Sequence, residues 1–332
     1  MTDMSKKFRG CILGLAIGDA LGYPVEFIRT REEILIVTGG TGITDLPDPA
    51  LYTDDTQMTI SVGNAILRSG DDIGLFMTCL TDEFLKWLEL QNIPEHRRAP
   101  GHTCMTACRN LKAGVKWEDA GVPASLGCGS AMRSAPIGLF HSKVEKLVDF
   151  AIDSSKITHP AELALCGSVG TALLTHLALK NEPVGVWAAE LLKVVSINSE
   201  FTQIIREAAE HAALRTDPDF VLSDRCLGEG WTAHEAVASA LYCCMMFPDS
   251  YEKAVLLGAN AVGDCDSIAC IAGAWMGAKF GIDAIPAKWV EKIENKEMLT
   301  ALADALHVAA GYEVEVKFPS SSTESPPTQT AD

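Results

Sequence analysis

A chain of 332 residues with 48% hydrophobic content holds enough apolar side chains for one large core or two small ones, which reads as a soluble globular protein. With 44 acidic against 27 basic side chains, a formal net charge of −17 and an isoelectric point near 4.9, it lacks the basic character that nucleic-acid backbones require. A compact phosphate-bearing ligand stays open, because a helix N-terminus and a local cation neutralise phosphate without any basic surface.

The N-terminus, Met1 to Lys7, is polar. The apolar run after it is too short and too glycine-rich for a secretory signal, which predicts a cytoplasmic protein. Gly10, Gly14, Gly18 and Gly22 then recur every fourth residue, and Gly273, Gly277 and Gly281 do the same late in the chain. Each series lines one side of a helix and lets another backbone approach closely. A glycine costs a helix interior about 0.5–1 kcal/mol relative to alanine, so the two series predict a central, tightly packed helix pair. In lipid the same spacing would mean helix dimerisation. The longest apolar stretch, residues 255–280, is however interrupted by Asp264 and Asp266, which disfavours a membrane span.

Helical periodicity is strongest over residues 60–67, 76–90, 162–179, 188–195, 201–214 and 233–246, and alternating β-branched runs are scarce. Turn residues separate these segments, among them Gly39-Gly40, Asp48-Pro49, Pro100-Gly101, Val122-Pro123, Asp217-Pro218 and Pro248-Asp249. Residues 34–37 read as a short strand. The expectation is an all-α protein with one catalytic domain over residues 1–317 and a disordered Ser/Thr/Pro-rich tail over 318–332. Most of the eleven cysteines lie in apolar helical segments and read as small core hydrophobes. Cys104, Cys108 and His102 lack the second ligand pair that a zinc site needs.

Two acidic clusters carry the chemistry: Thr53-Asp54-Asp55-Thr56 and Asp264-Cys265-Asp266-Ser267. Each offers carboxylate and hydroxyl oxygens, which suit Mg²⁺, Mn²⁺ or Ca²⁺ rather than a soft metal. Taken singly, each cluster also reads as a helix cap. Taken as a pair they favour a cation, since like carboxylates crowded at helix starts repel one another. The loop from Ser125 to Arg133 is rich in small residues whose amides suit a phosphate, yet it matches neither a dinucleotide fingerprint nor a Walker loop. His159, just before a helix start, reads either as a packed residue or as a ligand contact. Glu26 reads as an exposed loop acid or as a metal ligand or gate on a mobile segment. No nucleophile elbow for a catalytic serine appears.

Taken in order, the Gly14 to Gly22 helix with its Asp19, Thr53-Asp54-Asp55-Thr56, Gly129 to Arg133, Thr158-His159 and Gly263 to Ser267 resemble the ADP-ribosylglycohydrolase family. Leu227 to Trp231, Glu235-Ala236 and Ala240-Leu241-Tyr242 are similar to its pattern as well, so the resemblance runs from about Phe8 to Trp289. It implies a compact orthogonal helical bundle around two Mg²⁺ ions, with Mn²⁺ as a substitute, next to the scissile bond of an ADP-ribosylated protein or ADP-ribose conjugate. By position it implies Thr53, Asp54, Asp55, Asp264, Asp266 and Ser267 as metal ligands. Asp264 resembles the water-positioning base and Glu26 the acid of the flap. Gly101, His102, Thr103, Cys104, Ser125, Gly127, Cys128, Gly129, Ser130, Met132 and His159 lie where the family contacts ADP-ribose. Two residues depart from the pattern: Ala99 where arginine-specific relatives carry an acid, and Cys128 where some serine-specific ones carry asparagine. The resemblance therefore ranks the arginine conjugate only slightly above serine, acetyl and other conjugates. A non-catalytic ADP-ribose binder and a pyrophosphohydrolase are the rival readings.

Overall fold

The computed structural model describes residues 3–196 and 198–311, so the expected tail lies outside the described residues, as does the boundary at 317. The described residues form α-helices and short 3-10 turns, with no named strand among them. The helices at Glu162–Leu179 and Ala233–Met246 have the expected bounds. Those at Asp54–Ser69, Ile73–Leu90 and Ser199–Leu214 begin a few residues earlier than periodicity indicates. The reason is local: Thr53, Asp72 and Asn198 each accept a backbone N–H of the first turn and so start the helix ahead of its apolar stripe.

The strand expected over residues 34–37 is instead the end of a helix, Arg31–Val37. Thr30 caps it by accepting Glu33 N–H at 3.2 Å, and Glu32 and Glu33 in the first turn complement the helix dipole. Only Ile34 of the apolar run is buried, while Ile36 and Val37 are exposed, so the β-branched side chains never had two sheet faces to fill.

The centre of the molecule is the antiparallel pair Asp3–Gly22 and Cys265–Phe280. Gly10 faces Gly277, Gly14 faces Gly273 and Gly18 faces Ala269: a β-carbon built on these three glycines would lie 2.3, 2.7 and 2.1 Å from the opposing carbonyl oxygens. Glycine is therefore required for the helices to touch along their backbones. Tyr251 reinforces the seam by donating its hydroxyl to Gly14 O at 2.8 Å. Gly281 lies just past the second helix, closing it at φ 78, and still takes part in the close approach, since a β-carbon on Gly10 would lie 2.8 Å from its α-carbon. Because the pair is antiparallel, the end of the first helix meets the start of the second, and Gly22 packs against Asp266.

The helix Glu162–Leu179 is the one among the described residues long and apolar enough to cross a membrane, and 83% of it is buried inside the protein. Ten of the eleven cysteines are buried and all are free, as expected of core residues.

Candidate metal centre

Both acidic clusters sit at helix starts. Thr53 caps Asp54–Ser69, and its hydroxyl accepts Asp55 N–H at 3.4 Å. Asp264 occupies the capping position of Cys265–Phe280 but makes no side-chain cap, which leaves its carboxylate available. Asp19, on the first glycine helix, joins the clusters: Oδ1 accepts Thr53 N–H at 2.9 Å, and Oδ2 accepts the Thr56 N–H at 3.0 Å and hydroxyl at 2.6 Å. Asp19 thus caps the first cluster's helix from outside and fixes its position against the central pair.

A cleft of about 300 Å³ opens over these residues, and Glu26, Asp54, Asp55, Asp264 and Ser267 line it. Thr53 and Asp266 lie buried behind. One oxygen each of Glu26, Asp264 and Asp266 falls within 4.8 Å of the others, so the fold brings together three acids from opposite ends of the chain. Asp55 Oδ2, Asp266 Oδ1 and Glu26 Oε2 are buried without a hydrogen-bond partner. Orphaned buried acceptors are costly. An all-oxygen set with three of them fits a hard divalent cation such as Mg²⁺ or Mn²⁺.

The electrostatics agree. Burial, joined by repulsion from Asp266 and Asp264, pushes the Glu26 carboxyl up to about 11. Burial also raises Asp54, to about 8 against the opposing Gly101 N–H, and raises Asp19, helped by Asp266, to about 7. Asp55 and Asp264 stand well above the usual carboxylate range, first from burial and then from Asp266. In isolation the cluster retains protons, and a cation would displace them.

One wall of the cleft is the start of the helix His102–Lys112. Its capping residue Gly101 donates N–H to Asp54 Oδ2 at 3.0 Å. No side chain caps this helix, so His102, Thr103 and Cys104 present an N-terminus to the cleft. The opposite wall is the glycine loop. Ser125 joins the two walls through its hydroxyl, 2.8 Å from Thr103 Oγ1. Gly127, Cys128, Gly129, Met132 and His159 line the cleft. A β-carbon on Gly129 would lie 2.8 Å from both Cys104 Sγ and His159 Cε1, so only glycine lets these surfaces close up. Cys128 Sγ lies 2.8 Å from Asp264 Oδ2.

Sequence and structure differ at two places here. Ser130 faces away from the cleft: it is buried, accepts the Ser155 hydroxyl at 2.9 Å and donates to Ala164 O at 3.3 Å. The Cys128 amide, one of those expected to face a phosphate, donates to Trp231 O at 3.1 Å.

Arg133 explains the shape of this wall. Its fully buried guanidinium donates to Gly129 O at 2.7 Å, Ser154 O at 2.8 Å and Thr158 Oγ1 at 2.8 Å, which staples the loop to the His159 segment. Burial, with Arg133 nearby, holds His159 down at about 3, so its imidazole is neutral, with Nδ1 2.8 Å from Thr158 Oγ1. Sequence reasoning did not single out Asp19, Arg133, Phe27 or Trp231 as site residues. A signal existed for Asp19, an acid inside a glycine and apolar helix. Trp231 stood only as the end of the Leu227 to Trp231 resemblance and nothing marked Phe27; both aromatics line the cleft.

Comparison with known proteins is consistent with this geometry. The sequence model described as ADP-ribosylglycohydrolase matches residues 1–314. The chain is 33% identical over 312 residues to an uncharacterized protein of Archaeoglobus fulgidus, covering 92% of this chain and 97% of that one. It is 27% identical over 347 residues to ADP-ribosylhydrolase ARH3 of Bos taurus, covering 91% and 92%. With ADP-ribosylarginine hydrolase Tri1 of Pseudomonas putida (strain GB-1) it shares 28% over 305 residues, covering 90% and 77%. A solved structure titled ADP-ribosylglycohydrolase-related protein complex superposes with a TM-score of 0.73 at 25% identity, over 93% of this chain and all of that one.

Proposed function

The chain belongs to the ADP-ribosylglycohydrolase family, and from that premise we propose a Mg²⁺-dependent hydrolase that removes ADP-ribose from an ADP-ribosylated protein or small molecule. The observation that carries the reading is the grouping of Glu26, Asp264 and Asp266 within 4.8 Å at a cleft whose buried acceptors are left without partners. Likeness to an enzyme named for ADP-ribosylarginine favours the arginine conjugate slightly, while Ala99 and Cys128 argue for no particular leaving group.

Thr53, Asp54, Asp55, Asp264, Asp266 and Ser267 would hold two Mg²⁺ ions, with Mn²⁺ accepted by the same oxygens. Bound there, the ions supply positive charge that polarises ribose hydroxyls and water. The N-terminus of His102–Lys112 favours the diphosphate through its dipole and free amides. Gly127 and Gly129 let the loop close on His159, and the neutral His159 adds a polar contact at the cleft without adding charge. Asp264 takes the proton of the attacking water on a carboxylate oxygen. The new C–O bond forms at the distal ribose as its bond to the target breaks, and the proton leaves with the released target. Glu26, over the same group, orients the reacting centre.

The test is chromatography of products from arginine, serine and acetyl conjugates of ADP-ribose, with and without Mg²⁺. Intact ADP-ribose and unmodified target, formed only with Mg²⁺, are expected. AMP with ribose 5-phosphate would make the protein a pyrophosphohydrolase, and ADP-ribose binding without turnover of any conjugate would make it a binder; either refutes the proposal.

A further inference from the structure

Glu26 is held among like charges, and its buried Oε2 has no hydrogen-bond partner, so its place is fixed by its backbone and its neighbours. The chain leaves the first helix through the 3-10 turn Tyr23–Val25 and reaches Phe27 at φ 72, a left-handed conformation that a β-carbon disfavours. Two backbone bonds tie this turn to the second acidic cluster: Phe27 N–H donates to Gly263 O at 3.1 Å, and Gly263 N–H to Ile28 O at 2.7 Å. The Phe27 side chain is 59% exposed, yet its ring stacks on Trp231, with centroids 5.4 Å apart and planes 20° from parallel.

Trp231 is itself anchored. Its Nε1 donates to Glu229 Oε2 at 2.9 Å, and the Glu229 carbonyl accepts Asp264 N–H at 2.8 Å. The Glu229 carboxylate also lies 3.8 Å from the Arg29 guanidinium. One loop thereby grips the Glu26 segment at Phe27 and at Arg29 while bonding directly to Asp264. Gly228 and Gly230, at φ 87 and 82, give that loop its tight course. An exposed aromatic in a strained conformation needs a compensating contact, and the indole provides it.

We propose that Trp231 is a positioning residue for Glu26, acting through the ring of Phe27: the stack holds the strained turn down and keeps the Glu26 carboxylate over Asp264 and Asp266. The proposal rests on the reading of these acids as a metal centre, but its first test does not. Hydrogen exchange of the metal-free full chain reads the turn directly, at the Phe27 and Gly263 amides. Phe27→Leu, at an exposed position, and Trp231→Ala should speed exchange there about two- to tenfold, the range that an aromatic pair supplies beyond its area. Trp231→Phe should restore protection. Calorimetric Mg²⁺ titration should show affinity falling by a similar factor in Trp231→Ala, with no further fall when that change is added to Glu26→Gln. Unchanged exchange in Phe27→Leu would overturn the proposal. So would an affinity loss as large with Glu26→Gln as without it, since Trp231 would then act on the ligands by another route. A wild-type chain that binds no Mg²⁺ would overturn the metal reading instead, and exchange would still decide the stack.

Discussion

Gly18→Ala separates the two helices that carry the acids, and the size of the effect follows from the seam. In an unobstructed helix the change stabilises by about 1 kcal/mol. Here the added carbon would sit 2.1 Å from Ala269 O and 2.5 Å from its carbonyl carbon. A carbon rests against a carbonyl oxygen at about 3.3 Å, so the helices must part by roughly 1 Å. Overpacking costs about 1–3 kcal/mol, and backbone atoms have no rotamer by which to yield, so the upper figure applies. Offset by the propensity gain, the net is a destabilisation of about 2 kcal/mol. Asp19 is the next residue, and Asp266 lies on the facing helix, so a displacement of about 1 Å reaches the acids and lowers turnover on the order of 100-fold. Urea unfolding measures the first effect against a control, Gly74→Ala, whose β-carbon meets only Asp72 Oδ1 at 3.5 Å and which should be neutral or stabilising by up to about 1 kcal/mol. If Gly18→Ala proves as stable as Gly74→Ala, the close-approach account of the glycine ladder is wrong.

The acids yield further expectations. Asp55→Asn replaces a carboxyl that burial, and then Asp266, keep protonated at a cost to the folded state, so the metal-free variant should melt higher than wild type while losing most of the rise in Tm that Mg²⁺ gives; a variant that melts lower without metal contradicts that cost. Mg²⁺ binding near neutral pH should release protons, because Asp54 is held at about 8 and Asp55 and Asp264 well above the usual carboxylate range, in each case first by burial, and a ligand must be deprotonated. Calorimetry in buffers of different ionisation enthalpy detects this as a buffer-dependent heat, and identical heats would argue against it. His159, held down at about 3, binds fewer protons folded than unfolded, so its contribution to stability is present above about pH 6.5 and is lost as pH falls toward 3. Wild type should therefore lose about 2 kcal/mol relative to His159→Gln between pH 7 and pH 5, read by urea unfolding in chelator, and parallel pH profiles would show the imidazole to be solvated.

What the sequence alone determined is what short-range physics sets. Helix class followed from periodicity, the starts of Asp54–Ser69 and Cys265–Phe280 from residues that favour helix N-termini, and the close helix pair from glycines at every fourth position. The acidic clusters were legible for the same reason, since a hard-cation donor set is a matter of composition within four residues. Residues 34–37 show the limit even of local reading, because a β-branched run signals a strand only if neighbours bury both its faces, and here a cap at Thr30 decided for a helix.

The tertiary structure decided everything that depends on direction or on a distant partner. Ser125 and Ser130 were equivalent in the loop, yet one reaches Thr103 at the cleft wall and the other is sealed against Ser155 and Ala164. Asp19 became the brace of the first cluster only because the glycine seam carries it to Thr53 and Thr56. Phe27 and Trp231 became a pair only where two loops meet. A sequence specifies which groups can bind a cation or stack, but the orientation of each side chain and the charge facing it come from the packing of the whole chain, and these fix which acids meet at the cleft.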